Sequence, residues 1–154
     1  MVRLNDLSAA EREHIMAKEL PVYDTVPAVD GPPLHERRVA LVTTAGLHRA
    51  DDDAFSFVDL TYRVIPGDTD LNRLTMTHSS VHFDRTGFRE DVNVVFPLDR
   101  LRELAADGAV GSVADHHYSL MGAGWPPSMI EPTCNELAEL LRADHIDAVC
   151  LVPV

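Results

Sequence analysis

Val39-Ala40-Leu41-Val42 is apolar at four consecutive positions. Such a run is too short for a helix and does not alternate, so it reads as a strand buried on both faces. A strand of that kind needs helices on both sides of its sheet, which is the demand of an α/β fold. Ala148-Val149-Cys150-Leu151-Val152 makes the same demand at the other end of the chain. Tyr62-Arg63-Val64-Ile65, the short Leu74-Thr75-Met76-Thr77 and the Val113–Met121 region supply further strands. Two helical stripes supply the cover. One follows Pro97 through Leu98, Leu101, Leu104 and Ala105, with Gly108 as its C-terminal stop and Val110 as the hydrophobe beyond. The other carries Cys134, Leu137, Ala138 and Leu141, with Pro132 in its first turn and His145 at the position where a left-handed cap is expected. Strands alternating with helices predict a three-layer, Rossmann- or flavodoxin-like α/β domain with a mostly parallel sheet over residues 38–154. In such sheets ligands bind beyond the carboxyl ends of the strands. The turns Thr43–His48, Thr77–Asp84 and Met121–Gly124 fall there.

Residues 1–37 read as a separate piece. Ser8-Ala9-Ala10-Glu11 is a capping box opening a short helix to about Glu19. Pro21 ends that helix, and Pro27, Gly31, Pro32 and Pro33 make the rest an extended arm. The 154 residues are 45% apolar and 25% charged, the balance of a globular chain. A net charge of −12 repels phosphate backbones and anionic lipid, so neither nucleic acid nor a membrane surface is an expected partner. The first residues lack the apolar core of a signal peptide. No run approaches the roughly 18 apolar residues of a membrane span. Two cysteines, Cys134 and Cys150, make neither a disulfide framework nor a self-contained zinc site, which points to a reducing cytoplasm.

Met76 to Leu104 concentrates the chemistry. His78 closes a short strand at the ligand edge and can exchange a proton near neutral pH; its bland role is a hydrogen-bonded loop histidine. His82 and Asp84 are near enough along the chain to share a pocket with it, the carboxylate orienting an imidazole or holding an ammonium group. Loop capping is the bland role for Asp84, and surface exposure for His82. Asn93 holds either a substrate carboxylate or the loop backbone. His116 and His117 face opposite sides of a strand, and His117 is the one taken to reach the site. His48 and Thr44 lie in the turn after the first strand and Gly122 in the turn after Met121, all three as candidates for substrate binding. Asp51-Asp52-Asp53 reads as a solvated loop. His78, His82, Asp84 and His117 also make a possible metal set, but no tight ligand motif supports it. Gly122-Ala123-Gly124 lacks the rest of a phosphate-binding signature, and no G-x-S-x-G elbow is present.

Taken together, Val39–His48, Ile65-Pro66-Gly67-Asp68, His78, Asp91-Val92-Asn93, Phe96–Leu104 with Gly108, Met121–Gly124 and Asp147-Ala148-Val149 resemble, in order, the signatures of the selenoprotein B group. This group comprises the glycine, sarcosine and betaine reductase component B subunits and the related D-proline reductase subunit. The resemblance covers roughly residues 38–154. It implies reductive C–N bond cleavage in an amino acid or amine. The nucleophile would be a selenocysteine or cysteine just after the last strand, acting once a pyruvoyl group on a partner subunit has activated the amine. It also implies other reductase subunits, or further copies of the chain, as partners. Val154 falls one position short of that nucleophile, and neither Cys134 nor Cys150 stands in its place. The expectation is therefore a chain interrupted at a selenocysteine codon, holding one wall of the site and inactive alone. After the matching histidine this chain has Ser79-Ser80-Val81-His82 where the amino-acid reductases carry glycines, so the substrate is not fixed. Two readings of other classes stand beside it: a non-catalytic subunit docking a partner along its terminal strand, and a small His/Asp metal-dependent enzyme.

Overall fold

The computed structural model describes residues 3–18, 21–22, 24, 29–57, 59–80, 83–122 and 125–154. Helix α1 spans Ala9–Met16, and its entry is the expected capping box, Ser8 Oγ accepting from the Glu11 amide while Glu11 takes the Ser8 amide. The expected end at Glu19 and the arm's Pro27 lie outside the described residues. The main body then runs β1 (Arg38–Thr43), β2 (Leu47–Arg49), β3 (Tyr62–Pro66), β4 (Leu74–Met76), α2 (Thr86–Glu90), α3 (Leu98–Ala106), β5 (Ser112–Val113), β6 (His116–Leu120), α4 (Pro127–Ala143) and β7 (Ala148–Val152).

The result is a mixed α/β fold around a mostly parallel sheet. Strand β1 is central. Strands β5, β6 and β7 all pair with it in parallel, and β3 adds to β6 antiparallel. Strands β2 and β4 form a separate antiparallel ladder, with His48 opposite Thr75. That ladder differs from the sequence reading, which left His48 in a turn and placed 74–77 in the main series. Strands of three residues carry too little pattern to assign a partner.

The continuous apolar run of β1 is buried as it demands. Val39 and Leu41 pack with Ile65, Phe96, Leu98 and Leu101 on one face. Val42 joins Tyr118, Leu120, Leu137 and Leu141 on the other. Each fully buried leucine or phenylalanine contributes about 2 kcal/mol. Helix α3 ends as expected at Gly108, left-handed at φ 72°, and His145 takes φ 55° just beyond α4.

Two elements depart from expectation. Helix α4 begins at Pro127, so Pro132 lies inside it rather than in its first turn. Pro127 supplies the entry because a first-turn proline loses no hydrogen bond. Cys134 is exposed instead of contributing to the buried stripe. The stretch 79–93, expected as loop, contains α2 and a 3-10 turn at Val92–Val94. Strand β7 is an edge, with Leu151 72% exposed. No helix among the described residues is long and apolar enough to cross a membrane.

Candidate functional site

The carboxyl ends of β1, β6 and β7 converge on Thr44, Met121 and Val154. Beyond Thr43 the chain turns away through Gly46, whose φ of 64° suits glycine. The Gly46 amide donates to the Leu120 carbonyl, and the Gly46 carbonyl accepts from Thr77. That exchange sets the 77–80 segment, at the end of β4, beside Met121. Ser79 donates both its amide and its hydroxyl toward Met121 Sδ, at 3.4 and 3.5 Å. Thr44 holds the other side: the Val154 amide donates to its Oγ1 at 2.9 Å.

His78 is buried at this junction, 6% exposed. Its Nδ1 accepts from the Ser80 amide at 3.2 Å, which places the ring proton of the neutral form on Nε2. Nε2 is buried and makes no hydrogen bond of full geometry among the described residues, the Val154 backbone being the acceptor beside the ring. Burial pushes the imidazole pKa down, and the Arg85 guanidinium adds to that; the nearby Val154 backbone opposes it. The Phe83 ring packs 5.2 Å from the imidazole, centroid to centroid. Arg85 Nη2 donates to the carbonyls of His78, at 2.5 Å, and Ser80, at 3.4 Å. The site thus holds a neutral donor N–H in a water-poor setting, with one cation braced behind it.

The remaining candidates are distributed differently. His82 lies outside the described residues. His48 is buried, with Nδ1 bonded to the Arg49 carbonyl at 2.8 Å and Nε2 to Thr77 Oγ1 at 2.9 Å, so both nitrogens are committed to bracing the β2–β4 ladder. Gly122 spends its amide on the Thr44 carbonyl at 2.9 Å and packs so closely that a Cβ there would sit 2.7 Å from Thr44 Cβ. Asp84 is exposed and accepts from the Thr86 amide, which holds its carboxyl below the usual range. Its role in the structure is to start α2.

Asn93 is tied to the entry of α3. Its Nδ2 donates to Asp91 at 2.8 Å and Asp99 at 3.2 Å, and its Oδ1 accepts from the Asp99 amide at 3.1 Å. Asn93→Ala is expected to cost about 1–2 kcal/mol, as the loss of a helix-entry cap does. Urea denaturation checks this, and an unchanged midpoint refutes it.

His117 is fully buried at the level of Leu41, not at the strand ends. Its Nδ1 accepts from the Leu41 amide at 2.9 Å and its ring meets Phe96 edge-on at 5.8 Å. His116, on the opposite side, is near Asp144 at 3.5 Å. With Asp84 and His117 committed elsewhere, the four-residue metal set is not assembled. Among the described residues no group of three His, Cys, Asp or Glu is placed to share an ion.

The sequence reading missed Arg85, Ser79 and Met121 at the site. A lone arginine after His-Phe-Asp was the available signal for the first. On the α4 side of the junction lies an apolar cavity of about 430 Å³, bounded by Thr44, Gly122, Trp125, Cys134 and Leu151. Although Cys134 is exposed as a residue, partial desolvation at this wall pushes its thiol pKa up, with Glu131 adding to it, so this sulfur is no ready nucleophile.

Comparison with known proteins supplies the family. The chain is 36% identical over 120 residues to the D-proline reductase subunit gamma of Acetoanaerobium sticklandii, covering 77% of this chain and 49% of that protein. It is 31% identical over 140 residues to the glycine reductase complex component B subunit gamma of Symbiobacterium thermophilum, covering 86% and 32%. It is 29% identical over 139 residues to the sarcosine reductase complex component B subunit beta of Peptoclostridium acidaminophilum, covering 86% and 31%. The chain therefore spans about a third to a half of the length of these relatives. No solved structure matches it. The profile of the glycine/sarcosine/betaine reductase selenoprotein B family matches residues 7–154, and the chain belongs to that family.

Proposed function

We propose that this chain forms one wall of the active site of an amino-acid reductase, the selenol or thiol being carried just past Val154. The observation that supports this is the seating of the Val154 backbone between Thr44 and the buried ring of His78. A selenolate or thiolate there supplies the electron pair for reductive C–N cleavage. The residues of this chain do the positioning. Thr44 fixes the backbone at Val154 and so the direction in which the following residue enters. His78, kept neutral by burial, offers an N–H to substrate in a setting where a hydrogen bond is stronger than in water. Phe83 and Met121 keep that setting apolar.

The domain is then the first part of a Rossmann- or flavodoxin-like unit working in a reducing cytoplasm. The substrate is a small amino acid or derived amine. A pyruvoyl group comes from a partner subunit, and Val149 and Leu151 on β7 give further chain or a partner an apolar edge to cover. Docking along β7 is also the content of the second reading, a subunit that binds without reacting.

Reading the frame beyond the Val154 codon and assaying the full-length product separates them. A selenocysteine or cysteine within the next few residues, and reduction of D-proline, glycine, sarcosine or betaine by the assembled complex, is the expected result. His78→Ala in that product lowers kcat by roughly 100-fold. Turnover by the 154-residue chain alone, or a continuing frame with neither residue, overturns the proposal.

A further inference from the structure

We propose that the groove between α4 and β7 seats a helix supplied by the chain that follows Val154. This helix runs antiparallel to β7, beside α4, and leads to a strand on the free edge of β7. The inference rests on the reductase reading above, which carries the chain past Val154, and adds what the next element is and which face it covers. The curated relatives leave room for it, since the chain spans 49% of one and 32% of another.

The choice of face follows from the order of the sheet. Strands β5 and β6 flank β1 on one side and β7 flanks it on the other, all parallel to it. Between β1 and β5 the chain packs α3 on the face of Val39 and Leu41. Between β6 and β7, travelling the opposite way across the sheet, it packs α4 on the face of Val42. Faces that switch with the direction of travel are what crossovers of one hand produce, and parallel crossovers are right-handed almost without exception. Strand β7 is an edge, so the next parallel strand lies outward of it, in the direction of travel from β6 to β7. Its crossover therefore falls on the α4 face. Such a connection is usually an α-helix.

That face is the one left open. Val149 and Leu151, in register with Ala40 and Val42, share it and are 37% and 72% exposed. The apolar cavity of about 430 Å³ lies there, between Leu151 and a flank of α4 formed by Pro127, Ile130 and Cys134, which recur at helical spacing. Trp125 also bounds it, and its Nε1 is buried without a hydrogen-bond partner among the described residues. A buried donor of this kind calls for an acceptor, which a carbonyl of the arriving turn provides. On the opposite face Ala148 already packs on the α3-side core.

Cys134 and Cys150 report on the two faces, and both are exposed in the 154-residue chain. Alkylation followed by peptide mapping compares that chain with the full-length product, cysteine replacing any selenocysteine. The expected result is a roughly 10-fold slower reaction of Cys134 in the full-length product, as for a side chain reached only by local opening. Unchanged reactivity of Cys134, or slowing at Cys150 alone, overturns the proposal. Slowing of Cys134 in the 154-residue chain as its concentration rises seats a second copy there and also overturns it. Leu151→Glu is the independent variant. It leaves the urea midpoint of the 154-residue chain in place and lowers that of the full-length product, where the carboxylate is buried. A full-length variant too unstable to purify, beside a folded short one, counts as that loss. Equal effects in the two proteins overturn the proposal. Cys134 protected in a product with neither selenocysteine nor cysteine after Val154 supports the helix and overturns the reductase reading. An active reductase with Cys134 open does the reverse, and a frame that closes at Val154 overturns both.

Discussion

His117→Ala lowers the stability of the chain by about 3–4 kcal/mol, through a cavity and a bare buried amide together. The reason lies in the ladder beside β1. Pairing runs from Arg38 with Ser112 to Val42 with Tyr118, so the partner strand carries two more residues than β1 over that stretch. The ladder is interrupted there, and the Leu41 amide would face no carbonyl. His117 Nδ1 fills that place, and its ring packs on Phe96. His117→Asn, whose Oδ1 falls where Nδ1 was, is expected to recover about half of the loss.

The same residue makes the fold acid-sensitive. Burial is the main cause that pushes its pKa down to about 4, with Arg102 and His116 adding to it. In the unfolded chain a histidine titrates near 6.5. Between these values the unfolded state binds a proton that the folded state refuses, so stability falls as pH drops from 6.5 to 4. The contribution is on the order of 3 kcal/mol for a shift of this size. It is fully present above pH 6.5, and His78 acts in the same direction. Urea midpoints at pH 7 and 4.5 for wild type and His117→Asn measure it by difference, since the carboxylates are common to both. Parallel pH dependence in the two proteins refutes the assignment.

Strands β1 and β7 and helix α3 were legible because each is written locally, as a continuous apolar run or a stripe closed by glycine. Helix α4 was misplaced at its start because either Pro127 or Pro132 can mark an entry, and only packing of Ile130 against the sheet decides between them. Helix α2 is too short to carry a stripe. At the site, residue types at the right turns were legible and their commitments were not. Whether Thr44 Oγ1 is free depends on Val154, 110 residues away. Whether Gly122 offers its amide depends on the Thr44 carbonyl. His48 and Asn93 look like ligand-binding groups until their neighbours are known to satisfy every polar atom they carry. Arg85 went unread for the converse reason: arginine is ordinarily a surface residue, and its bracing of the His78 and Ser80 carbonyls is visible only in the fold.

Gly46→Ala is expected to cost about 3 kcal/mol and to disturb the site together with the fold. Two effects add. A side chain at a φ of 64° costs about 1 kcal/mol. The new Cβ would also sit 2.8 Å from the Thr77 carbonyl oxygen, a backbone atom without the freedom of a side-chain tip, and forced displacements of this kind cost about 1–3 kcal/mol. Gly108→Ala is the control: φ is 72°, nothing lies within 4 Å of the added atom, and only the backbone cost of about 1 kcal/mol applies. The difference between the two isolates the close approach. Because Thr77 precedes His78 and donates its amide to the Gly46 carbonyl, relief of the clash moves the very segment that holds the imidazole. Histidine ring resonances in NMR spectra should therefore shift for His78 and His48 in Gly46→Ala and stay in place in Gly108→Ala. Equal losses of stability in the two variants, with the His78 signals unmoved, would mean that the turn after β1 does not position the site.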